Sequence, residues 1–84
     1  MATIEEAGAR AVEFVKRTLS LDDARVIKAG RGESGWEVDI EVYEESAFVK
    51  ALGLPSRVRD RNIYLVNLDD QLAVQSYERK GGGA

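Results

Sequence analysis

The 84 residues contain no cysteine, no histidine and a single proline. Without cysteine there is neither a disulfide framework nor a thiolate metal site, a composition suited to a reducing compartment. Without histidine the chain lacks the usual general base near neutral pH and the commonest transition-metal ligand. Ser20, Ser34, Ser46, Ser56 and Ser76 therefore have no imidazole to activate them as nucleophiles. Long apolar runs are also missing: none approaches the roughly 20 residues that cross a bilayer. Segment 1–10 carries Glu5 and Glu6 and has no signal-like apolar core, so the expected location is cytoplasmic, with no membrane partner. Excess positive charge is absent as well. A net charge of −3 and a pI of 4.9 argue against nucleic acid, whose binding footprint would be basic.

What is present is alternation. Trp36, Val38, Ile40 and Val42 occupy one parity, and Glu37, Asp39, Glu41, Tyr43 and Glu45 the other. Side chains in a strand switch faces at each residue, so this reads as a half-buried strand with an acidic ladder on its outer face. Residues 33–45 hold six acids and no base, whereas 57–61 hold Arg57, Arg59 and Arg61 around Asp60. One small domain thus carries a negative and a positive patch, a polarity suited to contact with other proteins or to self-association. The expected partner-binding residues are Glu37, Asp39, Glu41, Arg57, Arg59 and Arg61. On this reading the ladder is solvated, and reversing Asp39 or Glu41 weakens a partner without unfolding the chain. The competing reading is a plain sheet face with cross-strand partners such as Arg25, Lys28 or Arg79.

Chemistry beyond contact finds little support. Paired acid–base catalysis needs two carboxylates in a cleft with pKa values pushed apart, which a solvated ladder does not provide. Gly30-x-Gly32 precedes a strand instead of a helix and is too short for a phosphate loop. No Asp-x-Asp-x-Asp-Gly loop occurs, and ligands on a rigid strand cannot wrap an ion. No catalytic residue, cofactor or metal site is expected; a cation sensor has the acidic ladder alone in its favour.

The order of elements follows from periodicity. Thr3 and Glu6 fit a capping box, and Ile4, Ala7, Ala11, Phe14, Val15 and Leu19 recur at helical spacing, predicting an amphipathic helix over 4–18. Gly8 within it costs about 1 kcal/mol relative to alanine and implies close packing on a sheet. A weakly alternating strand over 25–30 has Val26 or Ile27 inward. The loop 32–35 then turns into the strand that opens at Trp36. Ala47 to Leu52 looks briefly helical until Gly53-Leu54-Pro55 stops it. Alternation resumes over 62–68, Asp69-Asp70 turns, and 71–78 forms the last strand, with Leu72 and Val74 opposed to Ala73 and Tyr77. Tyr64 and Tyr77 are expected as neighbours across that hairpin. The fold class is therefore α+β: an N-terminal helix on a four-stranded, mainly antiparallel sheet in the order α-β-β-(short α)-β-β. It forms one domain over 1–80, with 81–84 a flexible glycine tail.

Three segments together are distinctive. They are Gly35-Trp36-Glu37-Val38-x-Ile40-Glu41-Val42-x-Glu44, then Asp60 followed by Tyr64-Leu65-Val66-x-Leu68-Asp69, then Leu72 and Tyr77-x-Arg79. The set resembles the gas vesicle protein O family across roughly residues 35–80. The resemblance implies a non-enzymatic accessory role in assembling or regulating the gas vesicle, with other gas vesicle proteins as partners. The family's recurrent residues correspond to Trp36, Glu41, Glu44, Tyr64, Asp69, Tyr77 and Arg79. The chain departs from the family in its longer 46–58 connector, in lacking a glycine after Asp69-Asp70-Gln71, and in lacking a basic, aromatic tail. The helix, the Trp-x-Val strand and the Tyr-x-Val-x-Leu-Asp hairpin also resemble PepSY domains, which implies a peptide- or protease-binding module as the alternative.

Overall fold

In the computed structural model, described over residues 2–45, 51–53 and 59–82, five elements follow one another. They are α1 (Ile4–Leu19), β1 (Arg25–Arg31), β2 (Trp36–Glu45), β3 (Arg59–Leu68) and β4 (Val74–Gly82). The strands form one sheet in the order β1-β2-β3-β4, with each neighbouring pair antiparallel. The helix covers one face of that sheet, which is the α+β arrangement the periodicity predicts. Most of the short helix expected in the connector lies outside the described residues.

The helix starts where its capping box requires. The Glu6 N–H donates to Thr3 Oγ1 at 3.2 Å, and the Thr3 N–H donates to Glu6 Oε1 at 3.0 Å. Two otherwise unpaired backbone groups are thereby satisfied, an arrangement that stabilises a helix by about 1 kcal/mol. Its other end closes at Ser20, whose left-handed backbone turns the N–H back to the Lys16 carbonyl. Ala7, Ala11 and Val15 pack on Trp36, Val38, Ile40 and Val42 of β2 and on Val66 and Leu68 of β3. Gly8 lets the helix approach β1, since a methyl group there would lie 3.2 Å from Val26 Cγ2. Phe14 reaches across to β4 and meets the Tyr77 ring edge-on at 5.2 Å. Tyr77 in turn lies 6.3 Å from Tyr64, the neighbour relation expected of the last hairpin.

Three boundaries differ from the sequence reading. β3 begins at Arg59 instead of residue 62, because its pairing with β2 continues through Tyr43↔Arg61 to Glu45↔Arg59. β4 begins at Val74 instead of residue 71, because the turn occupies more residues than Asp69-Asp70. Asp69 Oδ1 accepts from the Gln71 and Ala73 N–H groups at 2.8 and 2.9 Å, and Leu72 takes a left-handed φ of 67°. That conformation costs a branched side chain about 1–2 kcal/mol, and the Leu72 side chain is retained against the core. β4 also runs on to Gly82, with Ile63↔Gly81 and Asn62↔Gly82 in register, so half of the expected glycine tail continues a strand.

Bulges resolve one facing assignment, with Val26 and not Ile27 on the helix side, and correct another. Between Val26 and Lys28 the β1 register slips by one residue, leaving Ile27 as the extra one. A second slip opposite Asn67 and Leu68 makes Gln75 the extra residue. Val74 and Tyr77 consequently share the helix-covered face, although a strict alternation opposes them.

The tightest constraint is Gly35. A Cβ there would sit 2.0 Å from the Leu68 carbonyl oxygen and 2.7 Å from Asp69 Cα, both backbone atoms that cannot rotate away. Gly35→Ala should therefore cost more than about 2 kcal/mol in urea unfolding. Gly30→Ala has nothing within 4 Å of the new methyl group and should be neutral or stabilising by up to about 1 kcal/mol. Equal midpoints for the two variants would rule out the close approach of β2's start to the β3–β4 turn.

Candidate functional site

The strand register determines what the acidic ladder faces. On the sheet face away from the helix, Arg25 of β1 lies opposite Glu41, Lys28 opposite Asp39, and Gly30 opposite Glu37. From the other side β3 places Leu65 beside Asp39 and Ile63 beside Glu41. The ladder accordingly divides. Glu37 and Tyr43 are exposed, whereas Asp39 and Glu41 are each only 7% exposed. The solvated ladder expected from alternation is corrected here: its two central carboxylates are buried, and each is engaged by basic side chains.

Those side chains are also their ion partners. Glu41 is held from both sides, by Arg25 Nε at 3.1 Å and by Arg61 Nε at 2.5 Å. Asp39 is held by Lys80 Nζ at 3.0 Å, reaching across from β4. Arg and Lys can lay an aliphatic stem over apolar surface while the charged head stays near water, and this is how an unlayered face becomes covered. Of the proposed basic contacts, Arg61 is thus occupied within its own chain instead of awaiting the ladder of a second copy. Arg59 is exposed on the same face, opposite Glu45. Arg57 lies outside the described residues. Of the three cross-strand partners expected, Arg25 pairs as anticipated and Lys28 sits in register with Asp39. Arg79 instead aligns with Tyr64 on the helix-covered side.

A second polar group lies on that covered side. Glu44 Oε1 accepts from Asn62 Nδ2 at 2.8 Å and from the Tyr64 hydroxyl at 2.9 Å. Burial, followed by the hydrogen bond to Glu44 and its negative charge, pushes the Tyr64 phenol above its ordinary value of 10.0. Asn62 Oδ1 and Trp36 Nε1 are buried with no hydrogen-bond partner among the described residues. The Arg31 guanidinium stacks 4.9 Å from the Trp36 ring and bonds to Asp70 at 2.7 Å, linking the first hairpin to the last turn.

Two concavities flank the sheet. One, of about 1110 Å³, lies where β2 outruns β1 and is lined by residues of both signs, among them Asp22, Asp23, Arg25, Glu44, Glu45 and Arg59. The other, of about 900 Å³, runs between α1 and β1, and its wall includes Ile4, Gly8, Ala9, Val12, Val26 and Ala29. The sequence reading missed this groove. No local signal marks it, because its two walls come from α1 and β1; the run 24–32 shows only Arg25, Lys28 and Arg31 with no acid. Among the described residues no cluster of three or more acidic side chains is arranged to hold a metal ion, and no helix is long and apolar enough to cross a membrane.

No family model, no curated protein and no solved structure matches the chain.

Two predictions follow from the ion pairs and the phenol. Glu41→Lys would set three cations together at a buried position on the face away from the helix and should cost about 2–4 kcal/mol, well beyond a surface change. Glu37→Lys, in solvent, should stay within about 0.5 kcal/mol, and denaturant midpoints of the two variants decide it. The raised Tyr64 pKa means that the folded chain holds the phenol proton more tightly than the unfolded one. The stability it contributes is therefore complete below pH 10 and declines as pH rises through the folded value. Wild type should exceed Tyr64→Phe by about 1 kcal/mol at pH 8, with the gap shrinking at pH 11. A gap independent of pH would remove the phenol–carboxylate contact.

Proposed function

We propose that this is a non-enzymatic accessory protein that acts through protein–protein contacts, in the cytoplasm, and that its partners are gas vesicle proteins. The observation that carries the contact role is the apolar groove beside β1, an edge strand whose outer side pairs with no other strand among the described residues. An exposed strand edge offers main-chain donors and acceptors to another chain, and an adjoining apolar wall gives that chain something to bury. The gas vesicle assignment rests on the residue resemblance across 35–80. Its most distinctive elements, Gly35-Trp36 and Tyr64-x-Val66-x-Leu68-Asp69, meet in space where Gly35 passes the Leu68 carbonyl.

The location of the contact surface changes from the charged ladder. Asp39 is paired with Lys80, and Glu41 with Arg25 and Arg61, contacts that link β2 to the other three strands. Glu37 and Arg59 remain solvent-facing and belong to the rim of a contact surface instead of its centre. Rim charges steer encounter and make it sensitive to salt. The peptide- or protease-binding module is the second reading, favoured by the same groove.

The test immobilises the purified chain and captures partners from an extract of the source cells at low and high salt. Gas vesicle shell or accessory proteins should be recovered, and at least several-fold less of them at high salt. Recovery of a protease, or of no vesicle protein from an extract that contains them, would transfer the assignment to the peptide-binding module.

A further inference from the structure

We propose that the outer edge of β1 is a strand-addition site for an extended partner segment in which acidic and apolar residues alternate. This deepens the protein-contact reading by naming the partner's chemistry and the place where it docks. β1 is the outermost strand, so its edge away from β2 pairs with no other strand among the described residues. On the helix side of this edge lies the apolar groove, with Val26 and Ala29 contributed by the strand and Val12 and Ala9 by the helix. On the opposite side of the same strand stand Arg25 and Lys28.

The cations that β1 places on that opposite side are the loosely held ones around the two buried carboxylates. Asp39 and Glu41 are two carboxylates, and four cations face them: Arg61 and Lys80 from beyond β2, and Arg25 and Lys28 from β1. Arg61 and Lys80 already match these two carboxylates, which leaves the β1 pair surplus to them; the other acids of the face, Glu37, Glu45 and Glu78, stand in register with Gly30, Arg59 and Leu65 instead. The Arg25 side chain is 75% exposed despite its contact with Glu41, and Lys28 makes no ion pair among the described residues. Glu37, the next carboxylate along, faces Gly30 and stands in solvent.

The chain itself shows what such a strand recognises. On its inner edge β1 pairs antiparallel with a segment that sets Asp39 and Glu41 against Lys28 and Arg25, and Val38 and Ile40 against Ala29 and Val26. The same side chains are presented to the outer edge. A segment built like β2, added there, would place its carboxylates beside the surplus cations and its apolar residues in the groove. A second copy of β1 is a poor occupant. Antiparallel pairing about Lys28 would set Lys28 against its equivalent, and like charges directly opposite are destabilising. The bulge at Ile27 adds local twist that hinders flat edge-to-edge association but leaves the strand on either side available to one peptide.

The test titrates the isotopically labelled chain with a synthetic peptide of its own residues 37–45, Glu-Val-Asp-Ile-Glu-Val-Tyr-Glu-Glu, with blocked ends. A control peptide has the same composition with acidic and apolar residues in separate blocks. Saturable shifts confined to β1 and the α1 groove residues are expected, with at least fivefold weaker binding of the control. Lys28→Glu and Ala9→Glu should each weaken peptide binding at least fivefold. Lys28→Gln should fall between Lys28→Glu and wild type, and circular dichroism verifies that each variant is folded. Equal binding of both peptides, or loss on Lys28→Glu but not on Ala9→Glu, would reduce the site to general charge attraction and overturn the proposal. Concentration-dependent shifts at β1 without peptide would assign the edge to a second copy and overturn it too. The two readings fail separately. Vesicle proteins captured equally by wild type and Lys28→Glu, with no peptide binding, would sink the edge site alone. Peptide binding with no vesicle protein captured would sink the vesicle assignment alone.

Discussion

One helix lies on a four-stranded sheet, so one sheet face has a layer over it and the other does not. Everything distinctive about this chain follows from that imbalance. The covered face has the standard solution, with small helix residues, Ala7, Ala11 and Gly8, admitting the helix close to Val38, Ile40 and Val42. The uncovered face cannot be made apolar without becoming an aggregation surface. Making it wholly polar would leave Ile63 and Leu65 of β3 unprotected. The chain resolves this with charge. Carboxylates on the second strand draw long basic side chains inward from β1, β3 and β4, and the stems of those side chains shield what the helix does not. Asp39 and Glu41 are buried because of what they attract.

The ion pairs therefore matter more for geometry than for net energy. Exposed pairs are worth little, and Arg25 and Arg61 keep much of their surface in water. Removing a carboxylate, however, leaves two guanidiniums on the same patch with nothing between them and uncovers the strand below. The asymmetry between making and breaking such a contact is what fixes the register. Shifting β2 by one residue relative to β1 would bring the carboxylates to the helix side and the valines to water, an exchange unfavourable at every position.

Much of this fold was legible in the residues. Alternation in 36–45 identified a strand and its inner face, Thr3 with Glu6 marked the helix start, and Gly8 announced the close approach to the sheet. Alternation cannot say what covers the other face, because that depends on strand order and on side chains distant in sequence. Lys80 lies 41 residues from the Asp39 it covers, and nothing local to either residue links them. The bulges at Ile27 and Gln75 escaped for a related reason: each is a one-residue slip set by the partner strand. The turn at Asp69 was readable as a turn but not in extent, since a leucine in the left-handed conformation at position 72 contradicts ordinary turn chemistry. The groove was missed because its two walls, Val12 and Val26, are unremarkable within their own elements.

The two edges of the sheet are not equivalent, and the reason lies in the tilt of contacts along α1. Toward β4 the helix extends Phe14 onto Tyr77, and Tyr77 leans on Tyr64, so the space between helix and strand is filled by rings. β4 also sends Lys80, one of its two cations, back over the sheet to Asp39. Toward β1 the helix presents Gly8, Ala9 and Val12, residues too small to fill the corresponding space, and a groove remains. The same glycine that lets the helix settle onto Val26 prevents it from closing that side. An apolar wall, a backbone edge unpaired among the described residues and loosely held positive charge therefore coincide on β1 and not on β4. This coincidence follows from packing one narrow helix asymmetrically on a sheet whose charge is concentrated on its second strand.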